Sequence, residues 1–189
     1  MDQSMGTPQK QTKAVRTILE WAEEVIIAVV LIAVVFTFGC RVVTVTGTSM
    51  VPNFHEGDRV LVVNDIGGVK QGDVVVIVNV LQEPIFKRVI ATEGQPVDFD
   101  YESGAVLVDG QVVDETQFGL ENGITGEPFS SFEVLEFPQT VPEGCVFVLG
   151  DNRAVSEDSR YQDVGMIDER NILGKAVFHL FPFQDLGFV

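Results

Sequence analysis

Ser49 lies in the run VTGTSMVPNF, Val45 to Phe54, with a glycine two residues before it and a proline three residues after it. Gly47 permits backbone conformations closed to other residues and Pro52 stiffens the exit, so the hydroxyl can be held at one angle beside a strand end. A held hydroxyl becomes a nucleophile only when a base takes its proton. Lys87, in FKRVIATEG, is a candidate base. Period-two alternation sends Lys87 and Arg88 to opposite faces of a strand, so one of the two should point inward. An inward lysine loses hydration of its charged form, and its pKa falls toward neutrality. A third segment, LGDNRAVSEDSRYQDVG from Leu149 to Gly165, gathers Asp151, Asn152, Arg153, Ser156, Asp158, Ser159 and Arg160 into one loop. Such a density of donors and acceptors suits a buried polar network, which is tolerable only when fully satisfied. Read singly, each segment also has a plainer meaning: a turn serine bonded to its own backbone, an edge-strand lysine that blunts aggregation, and an acidic surface loop.

The elements that must position these residues fall into two kinds. Val25 to Cys40 is a run of sixteen residues without a charge, preceded by Glu20, Glu23 and Glu24 on one helical face and by Trp21. With Lys10, Lys13 and Arg16 before the run and only Arg41 directly after it, the pattern predicts an N-terminal helix anchored in a membrane with its N-terminus cytoplasmic. From Arg41 onward the chain changes to short Val- and Ile-rich runs broken by Gly, Asp and Pro: RVVTV, RVLVV, DVVVIV, FKRVIA, AVLV, QVVD, CVFVLG and KAVFHL. That spacing predicts an antiparallel β domain. Asp109-Gly110, between AVLV and QVVD, marks a tight hairpin, and the polar stretch from Glu115 to Phe132 reads as a surface excursion.

Composition narrows the function. Twelve Lys and Arg against 28 Asp and Glu give a net charge of −16, which argues against nucleic acid as a partner. His55 and His179 lack the spacing of a metal site and read as ordinary surface or core residues, so no metal and no cofactor is expected. Cys40 and Cys145 are too few for a disulfide framework.

Taken together, the anchor, the G-x-S-M-x-P box, the K-R-V box, the VLVDG hairpin, and VPEGCVFVLGDNR running into S-x-D-S-R resemble bacterial type I signal peptidases. These are membrane-bound serine proteases that remove signal peptides from exported preproteins. The resemblance implies a mainly β fold, an antiparallel β-sheet catalytic domain with one N-terminal transmembrane helix. It divides the chain into a cytoplasmic tail (1–16), an anchor helix (17–40) and an extracytoplasmic catalytic domain (41–189). It implies Ser49 as nucleophile, Lys87 as general base and Ser156 as the residue that orients the lysine. Arg88, Asp151, Asn152, Arg153, Asp158 and Arg160 would buttress the site, and Val45, Gly47, Met50 and Phe86 would meet the substrate. Phe86, Val89 and Ile90 would supply the apolar surroundings of the lysine. Some family members carry a serine, where this chain has Gly47, whose hydroxyl helps to stabilise the oxyanion; here that donor is missing. The partners implied are signal-peptide-bearing preproteins and the lipid bilayer, with a cut after an Ala-x-Ala-like site.

Overall fold

A computed structural model describes residues 8–64, 67–129 and 133–189. The chain forms two compact units, residues 1–40 and 41–189. The first is a single helix, α1 (Pro8–Phe38). Proline suits the first helical position and glycine the position past the end, and here Pro8 opens the helix while Gly39 follows it. An exposed Arg16–Glu20 pair, 3.0 Å, links successive turns. The described side chains of the helix, from Val15 to Ala33, are all exposed.

The span expected over 17–40 lies partly outside the described side chains. Among the described residues no helix is long and apolar enough to cross a membrane. The reason is charge: Glu20, Glu23 and Glu24 interrupt the described part of the helix, whereas a span needs roughly 20 predominantly apolar positions. The side chains of residues 34–38 lie outside those described, as do residues 1–7 of the expected tail.

Among its described residues the second unit has twelve strands: β1 (Cys40–Thr44), β2 (Arg59–Val63), β3 (Val74–Ile77), β4 (Ile85–Thr92), β5 (Pro96–Asp100), β6 (Ala105–Val108), β7 (Gln111–Val112), β8 (Gln139–Thr140), β9 (Cys145–Leu149), β10 (Ile167–Asp168), β11 (Ile172–Phe181) and β12 (Gly187–Phe188). The larger sheet runs β1-β2-β11-β3-β4-β9-β10 with β12 added to β11, and the smaller runs β7-β6-β5-β8. The mainly antiparallel β character expected from the sequence is thus present. Asp109 and Gly110 both adopt positive φ, 55° and 72°, as a two-residue hairpin turn requires, and set the pairs Leu107↔Val112 and Val108↔Gln111.

Burial follows the pleat. β2 alternates between buried and partly or fully exposed residues, while all four residues of β3 are buried, because both its faces are packed, Val74 and Val76 in one buried cluster and Val75 and Ile77 in another. Ile90, Val97, Val106 and Phe147 belong to one buried cluster that joins the two sheets, and Phe99 and Phe137 meet ring edge to face at 4.7 Å beside it. The stretch expected to be a surface excursion is partly interior. It opens with a short 3-10 turn, Glu115–Phe118, whose first residue is buried, and Leu120 and Thr125 are buried too. Residues 130–132 lie outside the described residues.

Candidate active site

Lys87 is on β4, the strand between β3 and β9. Its amine is almost wholly withdrawn from water, with the residue 2% exposed. The pleat gives its neighbours. Lys87 pairs with Val75 on β3, and Ile85 and Val89, two residues away on either side, share its face. Val75, Val89 and Val148 belong to one buried cluster, with Ile85 packed against it. Burial is the main cause that lowers the Lys87 amine from 10.5 to about 8, against the upward pull of Asp158 and Glu157. Of the three residues expected around the amine, Val89 shares this cluster with Val75, while Phe86 and Ile90 belong to two other buried clusters.

Lys87 points inward, as expected of one of the two basic residues, and Arg88 is buried as well. The second face of β4 is covered by the excursion, where the Phe118 ring lies 5.2 Å from the Arg88 guanidinium. Arg88 donates Nε and Nη2 to Asp151 at 2.8 and 2.6 Å and Nη1 to the Gly72 carbonyl at 2.9 Å. Such a two-point ion pair is both strong and directional.

The turn carrying Ser49 is bonded to the polar loop. The carbonyl oxygen of Ser49 accepts the main-chain N–H of Asn152 at 2.9 Å, and Asn152 Nδ2 donates to the Thr48 carbonyl at 3.2 Å. Asn53, four residues after Ser49, donates Nδ2 to Asp151 Oδ2 at 2.8 Å and to the Phe118 carbonyl at 2.9 Å. Ser49 is half-buried. Gly47 has φ 77° with open space where a Cβ would stand, so the backbone, not crowding, makes glycine the fitting residue there.

Gly150 is the meeting point of these parts. The β4–β9 register pairs Arg88 with Leu149 and Val89 with Val148, and Lys87 and Gly150 are the next residues of the two segments, just past the end of that ladder. A Cβ on Gly150 would stand 2.1 Å from Ser156 Oγ and 2.6 Å from the Ser49 carbonyl oxygen. The Gly150 N–H donates to Asp158 Oδ2 at 3.1 Å and its carbonyl accepts from Arg153 Nε at 2.9 Å. Ser156 is fully buried, and its hydroxyl has no hydrogen-bond partner among the described residues. Arg160 donates Nε to Asp158 Oδ1 at 2.9 Å and Nη2 to the Arg153 carbonyl at 2.8 Å. The loop is therefore a buried network, as its composition suggested, and not a solvated surface turn.

The remaining residues divide. Val45, Met50 and Phe86 are brought into one buried cluster beneath the Ser49 turn, whereas Gly47 is exposed. Cys40 is buried and Cys145 partly buried. His55 is exposed, and His179 is buried with Nε2 2.9 Å from Asp58 Oδ2. Glu115 and Thr125, both engaged by Arg153, escaped the sequence reading because nothing in the local pattern of a polar stretch marks one acid for burial.

The family model for signal peptidase, peptidase S26, matches residues 18–181. The chain belongs to that family. It is a serine endopeptidase, a hydrolase of peptide bonds that removes signal peptides from preproteins. Among curated relatives it is 35% identical over 185 residues to a signal peptidase I of Bacillus licheniformis, covering 95% of this chain and 97% of the relative. It is 33% identical over 190 residues to signal peptidase I T of Bacillus subtilis, covering 98% and 96%. A crystal structure of a signal peptidase I from Enterococcus faecalis aligns with a TM-score of 0.45 at 25% identity, over 59% of this chain and 98% of that one.

Proposed function

We propose that the peptidase cuts preproteins with a Ser49–Lys87 dyad, after a small-x-small site of the Ala-x-Ala kind. The observation that carries this reading is the amine of Lys87, buried on an apolar strand face and lowered to about 8, at the end of the β4–β9 ladder where Gly150 leaves no room for a side chain between Ser156 and the Ser49 carbonyl. A neutral amine at working pH is what a general base must be. Lys87 takes the proton of the Ser49 hydroxyl as its oxygen attacks the scissile carbonyl. The resulting ammonium gives that proton to the departing amine, leaving an acyl ester on Ser49. Lys87 then takes a proton from water, which attacks the ester and frees the serine. Ser156, buried beside Gly150, orients the amine and takes the place of the third member of a triad. The backbone N–H of Ser49 serves the oxyanion, with no side-chain donor from Gly47.

Substrate binds as an added strand between the segment Val43 to Gly47 and Pro84 to Phe86. Two observations support this placement: β1 is the end strand of its sheet, and the β9 ladder on β4 begins only at Arg88, so residues 85–87 have no strand partner on that side. The apolar helix serves attachment to a lipid bilayer, since Ile26, Leu31, Ile32 and their neighbours are more than half exposed and large exposed apolar surfaces mark such contacts. We place Lys10, Lys13 and Arg16 on the cytoplasmic side and the catalytic domain, 41–189, on the other.

The test is cleavage of a preprotein by the full chain in detergent, with the cut site read by mass spectrometry, beside Ser49→Ala and Lys87→Ala. Loss of cutting in both variants is expected. Unimpaired cutting by either one removes it from the dyad.

A further inference from the structure

The peptide units around Gly150 are gripped at both ends by charged side chains, Asp158 on the N–H and Arg153 on the carbonyl. Asp158 is neutralised from within its own loop by Arg160. Arg153 is not. Of the nearby acids, Asp151 is engaged by Arg88 and Asp158 by Arg160, and the counter-ion of Arg153 comes from a distant part of the chain: Glu115, in the stretch between β7 and β8. Both side chains of this pair are 1% exposed. Arg153 Nη1 also donates to Thr125 Oγ1 at 2.6 Å, and its Nη2 is buried without a hydrogen-bond partner among the described residues. Glu115 is therefore the only acid in an ion pair with this guanidinium among the described residues.

Glu115 is itself fixed. Its main-chain N–H donates to Asn122 Oδ1 at 2.7 Å, and the 3-10 turn it opens is capped by Asp114, which accepts the Thr116 N–H at 3.1 Å. The same turn, through the Phe118 carbonyl, accepts from Asn53 behind the Ser49 turn. One short segment thus reaches both the serine side and the lysine side of the site.

We propose that Glu115 is a positioning residue for proteolysis: by pinning Arg153 it fixes the Gly150 carbonyl, and with it the close packing of Gly150 against Ser156 and the Ser49 turn beside Lys87. A freed Arg153 swings off the Gly150 carbonyl, the loop relaxes, and water reaches the lysine face. Because burial is the main cause that depresses the lysine, water there returns it toward its ordinary value. The inference rests on Lys87 being the base, and the experiment separates the two ideas.

The full chain in detergent micelles, carrying 13C-labelled lysine, is titrated by NMR with Lys87 assigned by its loss in Lys87→Ala. In parallel, kcat and KM are measured on a preprotein. If wild-type Lys87 titrates at the ordinary lysine value, the base reading fails whatever Glu115 does. If it titrates near 8, Glu115→Gln is expected to move it upward and to lower kcat on the order of 10²-fold, with KM little changed; Glu115→Asp is expected to recover part of both. A folded Glu115→Gln with wild-type kcat and an unmoved Lys87 titration overturns the proposal. Leaving Arg153 charged and unpaired inside can unfold the chain, so Glu115→Met with Arg153→Met, which removes both charges together, is measured as well. That double variant also lacks the donor to Gly150, so the same losses are expected, and wild-type values in it overturn the proposal equally. If every one of these variants fails to fold, Glu115 serves stability and the positioning role is withdrawn.

Discussion

Asn152 donates its main-chain N–H to the carbonyl oxygen of Ser49 at 2.9 Å, so the nucleophile turn and the polar loop are joined backbone to backbone. A side-chain substitution cannot delete that bond. Asn152→Ala removes only the Nδ2 contact to the Thr48 carbonyl, an exposed bond of 3.2 Å, and a bond of this kind contributes about 0.5–1.5 kcal/mol. The expected result is a fall in kcat/KM of no more than roughly 10-fold. Steady-state cleavage of a fluorogenic signal-peptide substrate checks it; complete inactivation would mean that the Asn152 side chain touches the reaction itself.

Gly150→Ala tests the crowding at the centre of the site. The new methyl would stand 2.5 Å from Ser156 Cβ and 2.6 Å from the Ser49 carbonyl oxygen. Neither of those atoms can move by rotating a flexible side chain, so the loop or the turn must shift. Displacement of reacting groups by about 1 Å can cost on the order of 10²-fold, and overpacking typically destabilises by about 1–3 kcal/mol. Turnover and denaturant midpoint measured together should both fall.

How much of this was readable beforehand depended on how local its cause was. The Asp109-Gly110 hairpin could be read directly because its turn chemistry acts over two residues, and the runs at 59–63 and 145–150 because Val and Ile alternation acts over five or six. β5 went unseen since PVDFD begins with proline and carries two aspartates. β8, β10 and β12 are two residues each, and only their partners make them strands. The resemblance placed Asp158 and Arg160 among the residues that buttress the loop, and they pair there. It could not disclose that Arg153 would find Glu115, or that the face opposite Lys87 would also be covered, since both follow from where the excursion packs.

The Arg88–Asp151 pair offers a stability test free of catalytic assumptions. Its side chains are 7% and 0% exposed, and removing one partner of a buried pair costs about 3–5 kcal/mol because the other charge is stranded. Asp151→Ala also removes one of the two acceptors of the Asn53 amide. Urea unfolding should show a loss in that range, and Arg88→Lys should lie well short of wild type because an ammonium cannot reproduce the two-point contact.

Lys87→Met separates stability from activity and fixes the sign of the lysine's shift. The folded-state value, about 8, lies below the ordinary 10.5, so the unfolded chain binds the proton more tightly than the folded one. Below about pH 8 the folded state carries the full burden of a charged amine held out of water. Stability therefore rises as pH climbs from about 8 to about 10.5 and falls as pH drops through that window. At one pKa unit per 1.36 kcal/mol the burden at neutral pH is roughly 3 kcal/mol at most. Methionine has similar bulk and no charge, so Lys87→Met should be inactive yet more resistant to urea than wild type at pH 7, with the difference shrinking above pH 10. The pH dependence of kcat/KM should mirror this, rising with an apparent pKa near 8 as the neutral amine forms. Equal stability of the two proteins at pH 7, together with an activity limb near 10.5, would mean that the amine keeps its ordinary pKa and is not the base that takes the Ser49 proton.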